Sequence, residues 1–263
     1  MKYTIALLFL TISFSAFGQI LNIEKARLDS LEKGKAYRIN LETKFNFYNR
    51  SANAQEQARF TTLTNELNAV YAPGKHAFIA LGNLAYTENN SKTILNNGYF
   101  HLRTTFNYTN RWSQEVFGQV QYDNFRGLTD RFVVGGAIRW TAIHSDKFTL
   151  GFGSGPMYEY EIWRRPGEDE LENVNFAKLS TNLIVRWDVS TNVFFNTTFY
   201  HQIGYDDSID GARNRLSSDT NFNFKISKFL TFTTNIAMQY EDKPIIDITK
   251  FIYGVENGLT LTF

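Results

Sequence analysis

Cysteine is absent and proline occurs only four times in 263 residues. Without cysteine there are no disulfides, no thiol chemistry and no thiolate metal site. Beyond the amino-terminal segment, no stretch approaches the ~20 continuous apolar residues that a spanning helix needs. Charge of one sign is also lacking, since the formal net charge is +1 at pH 7. Nucleic-acid binding would want a basic patch, so none is expected. Four scattered histidines make no transition-metal cluster, and no cofactor is expected. A mean hydropathy of −0.31 excludes a bundle of apolar helices. What is plentiful is aromatic: 24 Phe and 14 Tyr supply most of a 16% aromatic content. That composition suits aromatic girdles at two membrane interfaces, and alternating strands hide a lipid-facing side inside a polar average.

Residues 1–18 read as a signal peptide. Lys2 supplies the positive start, Ile5 to Phe14 the apolar run, and Ala16-Phe17-Gly18 a small-x-small cleavage site before Gln19. Residues 19–36 read as a periplasmic segment with a short helix, because Ile20, Ile23, Arg27 and Leu31 fall at helical spacing and Gly34 is a fair stop. An exported chain without a spanning helix can cross a membrane only as a closed barrel. The expectation is therefore all-β: a transmembrane antiparallel up-and-down barrel over 37–263, in the outer membrane of a Gram-negative bacterium.

The hairpin Glu115–Trp140 carries the pattern most clearly. Phe132, Val134, Gly136, Ile138 and Trp140 share one parity, while Arg131, Val133, Gly135, Ala137 and Arg139 share the other. Successive side chains on a strand point to opposite faces, so one face is apolar and the other carries arginines and small groups. The same two-faced segment recurs about twelve times, an even number as bacterial barrels require. Tight connections are expected near 73, 110, 145, 189 and 228, and longer external ones near 53, 92, 127, 168, 210 and 245.

The inward parity collects Arg38, Lys44, Arg103, Arg131, Arg139, Lys178, Arg186, Lys225 and Lys250 against Glu42, Glu66, Glu115, Asp123, Asp219 and Glu256. Paired across a narrow lumen, these charges form a solid ion-pair network. Segregated, they form an eyelet for a small solute or ion. Barrels of eight strands are filled by side chains and those of sixteen to eighteen are open, so twelve leaves both readings standing.

Three further sites are candidates. Asp206-Asp207-Ser208-Ile209-Asp210-Gly211 starts like a calcium loop, but its twelfth position is Ser217 where that loop needs Glu. A wall-mounted hydrolase of lipid esters would need a serine beside His101, which faces inward, or His201, which faces outward. Glu161–Asn175 and Asp206–Arg215 read as external loops able to meet a partner.

Tyr122-Asp123-Asn124-Phe125-Arg126-Gly127-Leu128-Thr129-Asp130-Arg131, then Val134-Gly135-Gly136, then Leu150-Gly151-Phe152-Gly153-Ser154-Gly155-Pro156-Met157-Tyr158-Glu159-Tyr160-Glu161 resemble a known family. These are bacterial outer-membrane barrels of unknown function labelled salt-induced outer membrane proteins. Leu21-Asn22-Ile23-Glu24 is similar to members from Bacteroidetes-type bacteria. The resemblance spans most of residues 20–263 and implies an outer-membrane barrel, with no catalytic or ligand residue to carry over. The closing strand's alternating aromatics and terminal Phe263 resemble the signal that the barrel-insertion machinery recognises. That machinery and outer-membrane lipid are the expected partners.

Overall fold

A computed structural model describes residues 37–51, 57–165 and 167–261. The signal peptide, the helix expected over 19–36 and Phe263 lie outside the described residues. Twelve strands follow in order among them: β1 (Tyr37–Ser51), β2 (Gln57–Tyr71), β3 (Ala77–Asn89), β4 (Lys92–Phe106), β5 (Trp112–Asp123), β6 (Leu128–His144), β7 (Phe148–Arg164), β8 (Leu171–Asp188), β9 (Val193–Asp206), β10 (Gly211–Lys225), β11 (Leu230–Glu241) and β12 (Phe251–Leu261). Each is antiparallel to its sequence neighbours in one sheet ordered β1 to β12. The sheet curls into an up-and-down barrel that brings β4 to β11 around one interior.

Alternation decides which way each side chain points. On β1, Ile39, Leu41, Phe45 and Phe47 are 66–69% exposed. The buried apolar groups, among them Val70, Ile79, Leu81, Val133, Met157, Phe176 and Ile184, sit on the opposite parity and face inward. An outer surface of bare Phe, Leu, Val and Trp is the reverse of a soluble sandwich and matches a wall bathed in hydrocarbon. Stacked outward aromatics gather near the short-turn end: Trp112 on Trp140 and Trp140 on Phe152, each at 5.9 Å, and Tyr71 on Phe78 at 6.1 Å. They form the girdle of one interface.

The strands run from 11 to 18 residues, longer than the roughly 9–11 that the hydrocarbon requires. This corrects the loop reading at several points. Expected loop Glu161–Asn175 loses both ends to β7 and β8, leaving 165–170 between them. Gly211–Arg215 is the start of β10 rather than loop. The longer connection expected near 92 is the two-residue turn Asn90–Ser91, with φ of 49° and 65°, the mirror-image geometry that two-residue hairpins favour. Lys250, expected on a strand, precedes β12. Beyond the hydrocarbon both strand faces are polar, so hydrophobic alternation fades while ladder hydrogen bonds and pairs such as Arg165 with Glu172 continue the strand.

Gly153 and Gly155 act differently. A Cβ on Gly153 would lie 2.8 Å from the Asn182 amide, so its absence admits that side chain. A Cβ on Gly155 would strike the backbone of β6 at Gly136 and Ala137. Strands β1 and β12 are the sheet's two ends, and no pairing joins them among the described residues.

Candidate functional site in the lumen

Glu159 stands on β7, nearer its loop end than its middle, and is fully buried. Three cations converge on it from three other strands: Arg131 of β6 at 2.5 Å, Lys178 of β8 at 2.5 Å and Arg215 of β10 at 3.2 Å. Glu161, one inward position along, meets Arg131 at 3.2 Å and Arg215 at 3.0 Å, and accepts from Trp163 Nε1 at 2.9 Å. Arg215 also reaches Glu241 of β11 at 2.7 Å. Three cations thus match three carboxylates in a network running from β6 to β11. A buried charge must be paired and hydrogen-bonded to be tolerated, which this one is.

A second cluster lies toward β4. Glu115 sits between Arg103 and Arg139, each 3.3 Å away, and Thr105 donates to its carboxylate at 3.3 Å. The Arg103 guanidinium also lies over the Phe117 ring, 5.6 Å from its centroid. An apolar patch of Val70, Ile79 and Leu81, with Tyr99 against it, lines the wall at β2–β4.

The β11–β12 connection folds back over the end of the barrel opposite the short turns. Its Ile246, 4% exposed, packs on Leu128 of β6 and Trp163 of β7, with Ile245, Ile248 and Val174 alongside. Gly127, at φ +83°, leaves room beneath: a Cβ there would meet Ile246 at 3.1 Å and run into the Arg164 carbonyl. Polar clamps hold the segment. The Asp242 carboxylate accepts from Asn214 N at 2.8 Å and Asn214 Nδ2 at 2.9 Å. Arg213 donates to the Lys243 carbonyl and to Asp206, while Lys243 Nζ donates to the Ala212 carbonyl at 3.1 Å. Burial pushes the Asp242 carboxyl up. The Asn214 hydrogen bonds and those of Lys243 outweigh it and hold the carboxyl below its ordinary value.

Of the inward charges expected from sequence, Arg103, Arg139 and Glu115 come together, as do Arg131 and Lys178 around Glu159. The rest do not join them. Glu42 and Lys44 pair with each other at 2.8 Å on exposed β1. Glu66 and Glu256 are exposed, as is Lys225 at the end of β10. Arg186 lies 3.7 Å from Asp188. Asp123 accepts from Arg126 N at 3.3 Å, and Asp219 from Asn221 Nδ2 at 2.7 Å. Arg38 keeps its inward position opposite Val70. Sequence reading missed Glu159, Glu161, Arg213, Arg215 and Glu241. Parity alone could have found Glu159, which lay within the expected seventh strand, and would have found the other four had the strands been drawn to full length.

The calcium reading does not fit the carboxylates. Asp206 is taken up by Ser208 and Arg213, and Asp210 accepts from the Tyr205 hydroxyl. His101 stacks on Phe117 at 5.9 Å and bonds Gln119 rather than a serine, while outward His201 bonds Asn214.

The chain belongs to the family described as "Protein of unknown function, DUF481", whose model matches residues 50–250. Two solved structures are similar. One is described as "NanC porin structure in rhombohedral crystal form", with 9% identity, coverage of 85% of this chain and 100% of that one, and a TM-score of 0.45. The other, "TodX monoaromatic hydrocarbon channel deltaS2 mutant", gives 8% identity, 86% and 80% coverage and a TM-score of 0.41. No curated protein matches.

Proposed function

We propose that this chain is an outer-membrane barrel whose lumen rests closed to the passage of solutes larger than water or a small ion. The observation that carries this reading is the meeting of Glu159 with Arg131, Lys178 and Arg215, which places charged side chains from four strands across the interior. The Ile246 plug closes the loop end above it. The outward apolar wall supports the membrane, with the loop end facing outside. Export through residues 1–18, cleavage at Gly18/Gln19 and recognition of Phe263 by the insertion machinery complete the proposal. Deleting Phe263 is expected to lower the amount of heat-modifiable barrel in the outer membrane.

Planar-bilayer recording tests the closed lumen. The purified mature barrel is expected to insert without stable conductance steps. A steady open level in the unaltered protein would overturn the reading. Lipid-ester hydrolysis and external-loop binding gain no support from the surroundings of His101 or from the shortened loops.

A further inference from the structure

A partly open interior chamber of about 90 Å³ lies between the two ion-pair clusters, lined by His101, Arg103, Ser180, Asn182, Gln202 and Arg215 among others. At ~30 Å³ per water in the liquid, this is room for about three waters or one small molecule. Among the buried atoms of its lining without a hydrogen-bond partner in the described residues are three acceptors, His101 Nε2, Asn182 Oδ1 and Gln202 Oε1, while Arg131 Nε, also without a hydrogen bond, lies 3.2 Å from Glu161 in an ion pair. His101 is 2% exposed and Asn182 is 6% exposed.

The polarity of His101 Nε2 is fixed from a distance. Arg131 can only donate, and its Nη1 lies 3.1 Å from Gln121, which must therefore present its oxygen. That oxygen also accepts from Gln119 Nε2 at 2.9 Å. Gln119 then turns its own oxygen to His101 Nδ1, 3.1 Å away. Nδ1 must carry the proton, which leaves Nε2 a bare acceptor aimed into the chamber. A second proton on the ring would add an uncompensated buried cation beside Arg103. Arg131, Lys178 and Arg215 are matched by Glu159, Glu161 and Glu241, while Arg103 and Arg139 both meet Glu115.

We infer that the chamber binds a small neutral solute rich in O–H or N–H donors, of glycerol or urea size, with His101 Nε2 as its acceptor and Arg131, Gln121 and Gln119 as positioning residues. Bare acceptors disfavour an anion, and the guanidiniums of Arg103 and Arg215 in the lining disfavour a cation. A bare imidazole nitrogen and two amide oxygens ask for donors, while the guanidiniums and Ser180 return donors to the solute's oxygens. This goes beyond a closed lumen: a silent barrel can still hold such a molecule.

The test uses the full mature barrel in detergent micelles with ¹⁵N-labelled histidine, the His101 signals being assigned by their loss in His101→Asn. The expected spectrum has Nδ1 protonated and Nε2 bare. Adding glycerol, or separately urea, should move the Nε2 resonance saturably, while KCl and sucrose should not. Gln119→Leu should mix the tautomers and weaken the apparent affinity roughly tenfold, the value of one lost hydrogen bond, with unchanged heat-modifiable mobility. A protonated Nε2, a shift that never saturates, or an equal response to KCl would overturn the inference. So would full affinity in Gln119→Leu. None of these outcomes bears on conductance, so failure here and failure of the closed-lumen reading remain distinguishable.

Discussion

Glu159 on β7 and Arg215 on β10 stand 56 positions apart in sequence and meet at 3.2 Å through both carboxylate oxygens. No local interaction can bring them together, so the contact exists only once the sheet has curled. Its worth is asymmetric. Replacing a whole buried ion network by apolar groups is often neutral, whereas removing one partner strands the others without compensation. Glu159→Gln leaves Arg131, Lys178 and Arg215 short of a carboxylate and is expected to cost about 3–5 kcal/mol. Adding Lys178→Met to it should restore part of that loss. Urea unfolding of the refolded barrel measures both, and a Glu159→Gln midpoint equal to the parent would sink the network as a structural element.

The lipid wall gives a second expectation. Val134 is 60% exposed, and its neighbour Val133 is 8% exposed on the inward side. Val134→Arg puts a cation into hydrocarbon and should cost ~2–4 kcal/mol near the bilayer midplane. Folding into lipid vesicles checks this. In a water-soluble sheet the same change at so exposed a site would fall within the ±0.5 kcal/mol typical of surface positions.

Parity was legible because a two-residue period survives without tertiary information. Ile39, Leu41 and Phe45 could be assigned outward, and Arg103, Arg131 and Lys178 inward, from spacing alone. What spacing omits is height along the barrel and which distant strand faces which. Arg131 and Lys178 were therefore visible as lumen charges while their shared carboxylate was not. Glu161 and Arg215 were hidden differently. Both lie where apolar alternation stops and charges crowd, so they read as loop. Residues 241–248 also read as loop, and nothing in Ile245-Ile246-Asp247-Ile248 told whether those isoleucines turn outward or back into the mouth.

The plug carries a third expectation. Ile246 is buried against Leu128 and Trp163 by a connection with few other apolar anchors. Ile246→Ser removes most of that burial, worth roughly 1.5–3 kcal/mol for one aliphatic side chain. The segment should then leave the mouth part of the time, and trypsin should cut after Lys250 faster than in the parent. Transient conductance steps should appear in planar bilayers if the Glu159 network alone does not seal the lumen. Unchanged cleavage would mean that the polar clamps hold the segment by themselves.

The clamp at Asp242 ties that closure to pH. Its carboxyl is held below the ordinary value of 3.8 by Asn214 and Lys243. A carboxyl lowered in the folded state stabilises it fully above its unfolded value, and that contribution fades as pH falls through the lowered folded value. The plug should thus be unaffected from neutral pH down to about pH 5 and loosen below the ordinary value, as the protonated carboxyl stops accepting from Asn214 N and Nδ2. Trp163 reports the event, because losing Ile246 exposes its ring to water. In a background with Trp112, Trp140 and Trp187 replaced by Phe, its emission should shift red on acidification and recover on return to neutral pH. Asp242→Asn keeps the size but accepts more weakly, so the plug should be looser already at neutral pH and the acid-dependent step should disappear. An undiminished step in Asp242→Asn would assign the titration to another carboxyl, with Asp206, on which Arg213 also leans, as the next to replace.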